Sequence, residues 1–163
     1  MANRRKIGQL GSKSGQNGLY ASLLAFDPDS LSNPVVSLSV DVQASKQGVP
    51  MHTHVRGQIV LTLRGNVTCE LESGLWLVPP DCALWIPGGT PHRSVVSADG
   101  IVCYLYLTPD AVQLPTLPCT LLITPLVREL IIHVTRLNPG YDLDSPDGRI
   151  VSVLIEQLEH LAI

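Results

Sequence analysis

The chain is 163 residues long, 45% hydrophobic and 15% charged, with a formal net charge of −3. This is enough apolar material for a single domain with one sizeable core, which argues against a largely disordered chain. The only basic cluster is Arg4, Arg5 and Lys6, too small a footprint for a broad nucleic-acid surface.

Residues 1–33 read as an N-terminal arm, partly flexible. Gly8 to Gly18 is rich in Gly, Ser, Asn and Gln, so no signal peptide or membrane span is expected and the expected location is cytoplasmic. A short apolar piece from Leu19 to Phe26 leads into a turn at Asp27, Pro28 and Asp29. Next, Val36, Leu38, Val40 and Val42 alternate with Ser37, Ser39, Asp41 and Gln43, the period of a strand with one buried face. Further short strands are expected at Gln58 to Leu63, Val67 to Glu72, Leu75 to Val78, Ala83 to Ile86, Arg93 to Val96 and Ile101 to Leu107. Such closely spaced strands predict a jelly-roll barrel over residues 34–118. The four cysteines, Cys69, Cys82, Cys103 and Cys119, stand singly among apolar neighbours and read as reduced core thiols.

After Pro118 the period lengthens to that of a helix. Thr124 caps and Pro125 begins a helix with Leu126, Leu130, Val134 and Leu137 on one stripe, stopped by Asn138, Pro139 and Gly140. Ser145 and Pro146 open a second, with Ile150, Leu154, Leu158 and Leu161 on one face. Residues 119–163 are therefore expected to form an antiparallel helix hairpin. Val127, Ile131, Ile132, Val151 and Ile155 widen its apolar surface, which points to a partner subunit. Leu130, Val134, Leu154 and Leu158 are the expected dimer interface; packing within the chain alone is the competing arrangement.

Two segments carry chemistry. In HTHVRGQ (52–58), strand geometry sends His52 and His54 out of one face, and Gln58 keeps that parity. In PGGTPH (87–92), the turn at Pro87, Gly88 and Gly89 can swing His92 inward. Three imidazoles and an amide oxygen suit a divalent metal such as zinc, nickel, copper or iron. With no carboxylate in the set, the metal charge stays uncompensated, which favours an anionic ligand or bound hydroxide. A polar pocket without metal is the alternative. His133 and His160, on the helices, read as structural. Trp76, Trp85 and Tyr104 are candidates for a ligand pocket, with plain barrel packing as the competing role, and Tyr106 faces the same choice. Arg56, Arg93 and Arg64 are expected at the surface.

The two segments resemble the two cupin motifs. Gln58 stands where many cupins carry glutamate, Gly65 closes the first motif, and PGGTPH matches the PxGxxH core of the second. Asp81 and Val96 depart from the glycine and asparagine that often bound the second motif, and the spacing from Gly48 to His52 is short. Over roughly residues 35 to 163, HTHVRGQIVLTLRGNV, VPPDCALWIPGGTPHRS, YLYLTPD and CTLLITPLVRELI together are similar to one branch of the N-terminal effector-binding and dimerisation domain of AraC-type transcriptional regulators. The resemblance implies a mainly β cupin barrel, or double-stranded β-helix, followed by an antiparallel two-helix hairpin. It also implies a ligand- or metal-sensing role in transcriptional control, with a small-molecule effector as partner, a homodimer through the hairpin, and DNA contact only through a C-terminal domain for which this chain has no room. The competing class is a metal-dependent cupin enzyme, a dioxygenase or isomerase. The missing carboxylate, the lack of a general base aimed at the site, and a hairpin that catalysis does not need weigh toward a non-enzyme.

Overall fold

Burial on one or both faces shapes most strands of the computed structural model, which describes residues 26–43 and 46–163. The arm expected over residues 1–33 lies mostly outside these, as do the Arg4–Lys6 cluster and the apolar piece before Phe26. Among the described residues nine strands follow in order: β1 (Val35–Asp41), β2 (Gln47–Gly48), β3 (Gly57–Arg64), β4 (Val67–Leu71), β5 (Gly74–Val78), β6 (Cys82–Ile86), β7 (His92–Val96), β8 (Ile101–Leu107) and β9 (Cys119–Leu122). Two helices close the chain, α1 (Pro125–Val134) and α2 (Pro146–Glu159). The strands form a five-stranded sheet in the order β1-β8-β3-β6-β9 and a four-stranded sheet in the order β2-β7-β4-β5, all paired antiparallel. This is the expected mainly β jelly-roll barrel followed by a helix hairpin.

The core has two compartments, one on each face of the five-stranded sheet. Inside the barrel lie Val36, Leu38 and Val40 of β1, Val60 of β3, Leu84 and Ile86 of β6, and Tyr104 and Tyr106 of β8, against Val67, Cys69 and Leu71 of β4. The residues between them point outward. Ile59, Leu61, Ala83, Trp85, Cys103, Leu105 and Leu107 meet Val127, Ile131, Val134, Val151, Leu154 and Leu158 of the helices. Both helices start as the sequence indicates, with the Thr124 and Ser145 side chains accepting from the Val127 and Gly148 amides and a proline in the first turn.

Several expectations change. Two strands were unanticipated, β2 and β9, because stretches of two and four residues carry too little periodicity to read. β9 pairs with β6, so the sheet crosses the expected boundary at 118/119. On α1 the buried stripe is Val127, Ile131 and Val134: Val134 lies on the expected stripe, while Val127 and Ile131 take the buried places expected for Leu126 and Leu130, and Leu126 is exposed. On α2 it is Val151, Leu154 and Leu158, preceded by Gly148. Val134, Leu154 and Leu158 are thus filled by the chain's own sheet and leave no side-chain surface for a partner, which corrects their assignment to a dimer interface; Leu130 is half-buried. Residues 26–33 are anchored: Phe26 and Leu31 pack against the barrel interior, and Pro28–Ser30 form one 3-10 turn capped by Asp27. The free thiols Cys69 and Cys103 are buried as expected, whereas Cys82 and Cys119 are half-buried.

Leu154 and Leu158 are each 0% exposed. Leu154→Ala is expected to lower unfolding free energy by about 3 kcal/mol, and Leu126→Ala, on the exposed side, by under about 1 kcal/mol; denaturant titration of both variants checks this.

Candidate metal centre

His52 and His92 come together because their segments pair in both directions, each amide donating to the other's carbonyl at 3.0 Å. The Gly89 amide donates to the His54 carbonyl at 2.8 Å, fastening the second segment to the first. Two glycines permit this approach: a Cβ on Gly88 would collide with the Val55 carbonyl, and Gly89 holds φ of +77°. As a result, one ring nitrogen from each of His52, His54 and His92 lies within 4.8 Å of the others, with His92 buried and the other two half-buried. Among the described residues this cluster of metal-donor side chains contains no carboxylate.

The tautomers follow from the hydrogen bonds. Nδ1 of His52 lies 2.9 Å from the Pro50 carbonyl, Nδ1 of His54 2.6 Å from that of Arg56, and Nδ1 of His92 2.7 Å from that of Thr90. A carbonyl only accepts, so each Nδ1 carries the proton and each Nε2 keeps its lone pair for a ligand. This is the orienting bond that metal-bound histidines make through their second nitrogen. Nε2 of His92 is buried with no hydrogen-bond partner, so it has a vacant acceptor that a cation would satisfy. Gln58, 2% exposed, places Oε1 3.0 Å from Nε2 of His54. Two acceptors then face each other, an arrangement satisfied by turning the amide so that its NH2 donates or by a cation between them. The donor set therefore fits a divalent metal held by His52, His54 and His92 with Gln58 alongside.

Residues upstream of the barrel hold the first segment in place. The Asp29 carboxylate accepts from the amides of Val55 (2.7 Å) and Arg56 (3.2 Å). Arg56 is 3% exposed, against the expected surface position, and its guanidinium donates to the carbonyls of Leu31 and Pro34. Burial lowers its pKa, opposed by Asp29. Neither Asp29 nor Arg56 emerged from the sequence as a site residue; the turn chemistry at Asp27 to Asp29 was the only available signal. Arg93 and Arg64 are exposed as expected, Arg93 pairing with Glu70.

The expected pocket residues separate. Tyr104 is fully buried inside the barrel with its hydroxyl unpartnered, and Trp76 packs partly against the same interior. Trp85 lies on the opposite face, covering Gly57, and donates from Nε1 to the Pro115 carbonyl. Parity explains the correction, since Leu84 and Ile86 take the inward positions on either side of it. Tyr106 is the aromatic beside the triad, its ring 5.3 Å edge-on to His54 and 5.6 Å from Phe26. His133 is exposed on α1 and His160 caps α2, both outside the triad.

Burial, and then the neighbouring His52 and His54, push the His92 pKa down to about 4 from its ordinary 6.5, opposed by the Thr90 carbonyl. Between those values the unfolded chain binds a proton that the folded one refuses, so stability is fully present above 6.5 and falls as the pH drops toward 4. For the metal-free protein the expected loss is about 3 kcal/mol, read from denaturation midpoints across that range and reduced in a folded His92→Gln variant.

The AraC-like ligand binding domain family model matches residues 36–124. The chain is 36% identical over 137 residues to the HTH-type transcriptional regulator NimR of Escherichia coli (strain K12), a match covering 84% of this chain and 50% of NimR, so it spans about half the length of that relative. Among solved structures, apo ToxT K231A from Vibrio cholerae shares the fold with a TM-score of 0.57 at 8% identity, over 78% of this chain and 55% of ToxT. Unsaturated-fatty-acid-bound wild-type ToxT has a TM-score of 0.56 at 8% identity, covering 78% of this chain and 54% of that one. The family model spans more than half of the chain and NimR aligns along most of it: the chain belongs to the AraC-like ligand binding domain family.

Proposed function

We propose that this domain is the sensing part of a transcriptional regulator, that its barrel mouth binds a divalent metal through His52, His54, His92 and Gln58, and that it pairs with a second copy. The likeness to NimR supports the regulatory role, and the family's ligand-binding character supports a small-molecule effector. Contact with DNA falls to other parts of such a regulator. A cytoplasmic location goes with that regulatory role; among the described residues no helix is long and apolar enough to cross a membrane.

One observation carries the metal reading: all three Nδ1 atoms are committed to backbone carbonyls, while Nε2 of His92 is buried without a partner. Zinc, nickel, copper and iron all accept such nitrogen-rich sites. Bound there, the metal would supply a Lewis-acidic positive centre, and the neutral donors would leave its charge available to an anionic effector. The chain's own part is to orient the imidazoles and keep His92 neutral. A sensing role, rather than catalysis, agrees with a donor cluster that lacks a carboxylate to serve as base.

For the dimer, the surface left after the helices pack is a groove of about 400 Å³ lined by Leu126, Glu129, Leu130, Ile132, His133, Arg136 and Ile150. Of the four residues first expected at an interface, only Leu130 lines it. A second copy seated there would cover the exposed Leu126.

Two measurements check these readings. Elemental analysis of freshly purified protein should find near-stoichiometric metal that is lost in the His52→Ala, His92→Ala double variant; no metal in either, even after incubation with zinc, rejects the metal site, and redox turnover by iron-, nickel- or copper-loaded protein would replace sensing by catalysis. In sedimentation, Leu130→Glu should give a folded monomer where the wild type is a dimer, whereas a folded dimer would remove the hairpin as the interface.

A further inference from the structure

The segment before β1 joins two loops, the first histidine loop and the loop between the helices, through bonds that span long stretches of sequence. At one end it grips the first histidine loop: Asp29 takes the Val55 and Arg56 amides, and the Arg56 guanidinium donates to Leu31 at 2.6 Å and Pro34 at 3.3 Å. The Arg56 carbonyl is itself the acceptor that orients His54. At the other end, Nδ2 of Asn33 donates to the Tyr141 carbonyl at 2.8 Å, and the Tyr141 hydroxyl donates to the Val35 carbonyl at 2.9 Å. Tyr141 lies in the loop joining α1 to α2, and its ring is buried with Val134 and Val151 in the outer compartment.

We infer that residues 29–35 form a strap coupling the His54 loop to the loop between the helices, with Arg56 the positioning residue at the binding end and Asn33 with Tyr141 the anchors at the helix end. Regulation by the triad rests on the metal reading above; the mechanical link does not. A buried guanidinium cannot give up its acceptors cheaply, so displacement of the Arg56 backbone pulls first on Leu31, the acceptor at 2.6 Å. Leu31 to Asn33 belong to neither sheet, while Pro34 accepts from the Thr108 amide at 2.9 Å and Val35 opens β1, so Leu31 to Asn33 are the part of the strap that can shift without breaking a strand ladder. Asn33 sits between Leu31 and Pro34, and its movement is handed to Tyr141. Whatever fixes His54 at the barrel mouth therefore biases the loop joining the two helices that line the groove proposed for the second copy.

Amide hydrogen exchange of residues 137–144 tests this in wild type, His54→Ala, Asn33→Ala and the double variant, each with and without zinc, alongside calorimetric zinc binding. Tyr141→Phe replaces Asn33→Ala should the latter fail to fold. The expected result is that His54→Ala speeds exchange in that loop by on the order of threefold, that the effect disappears when Asn33 is already removed, and that zinc slows the same amides in wild type only. Additive effects of His54→Ala and Asn33→Ala overturn the strap, because purely local loosening at two sites adds. Zinc bound by the triad with additive exchange overturns the strap and keeps the metal reading. Non-additive exchange in a protein that binds no zinc keeps the strap and overturns the metal reading.

Discussion

The central strands of the five-stranded sheet, β8, β3 and β6, are buried on both faces, and this constrains everything else. In β3 the outward Ile59 and Leu61 are wholly buried, and so are the inward Gln58, Val60 and Thr62. Side chains alternate with a period of two, so a slip of one residue would send Gln58 under the helices and Ile59 into the barrel mouth. Neither compartment tolerates that exchange: one would bury an amide without a partner, the other would replace a donor by a methyl group. Register is therefore shared between the histidine cluster and the helix hairpin.

The barrel interior is layered by the same logic. Across the sheets, Gln58 lies opposite Tyr106 and Ile86, and Leu71 opposite His92, at the mouth. One step deeper, Val60 lies opposite Tyr104 and Leu84, and Cys69 opposite Ser94, the two sulfur and oxygen atoms 3.5 Å apart. Deeper still, the Thr62 hydroxyl donates to the Val78 carbonyl at 2.7 Å. Polar atoms thus extend below the triad in an otherwise aliphatic barrel, and the unpartnered Tyr104 hydroxyl is the least settled of them. Burial raises the Tyr104 and Tyr106 pKa values, keeping both phenols neutral.

Elements with a long, one-sided period were legible in the sequence. The alternation of β1 and the capped starts of both helices follow from spacing and local chemistry, whereas His52 and His54 lie before β3, outside the strand geometry expected for them, and reach His92 through the pairing of their two loops. What escaped was decided by contacts distant in sequence. Trp85 carries the same apolar signal whether it faces the barrel or the helices, and only the pairing of β6 with β3 and β9 assigns its side. Each helix carries more apolar positions than its buried stripe uses, so composition left its orientation open by one residue. Arg56 looked like a surface charge because its acceptors, the Leu31 and Pro34 carbonyls, are backbone atoms that have no residue type to recognise. The short strands β2 and β9 exist through their partners, not through any pattern of their own.

The acceptors that set the three imidazole tautomers are likewise main-chain oxygens, those of Pro50, Arg56 and Thr90. No single replacement of a neighbouring side chain deletes such an atom, so the histidines' orientation is insulated from most point changes around them. It is exposed instead to changes in loop length: one residue inserted between Pro50 and His52, or between Thr90 and His92, would rotate the carbonyl away from its ring. Divergence among related chains that preserve the triad should therefore concentrate in side-chain identity within these loops, while their lengths stay constant.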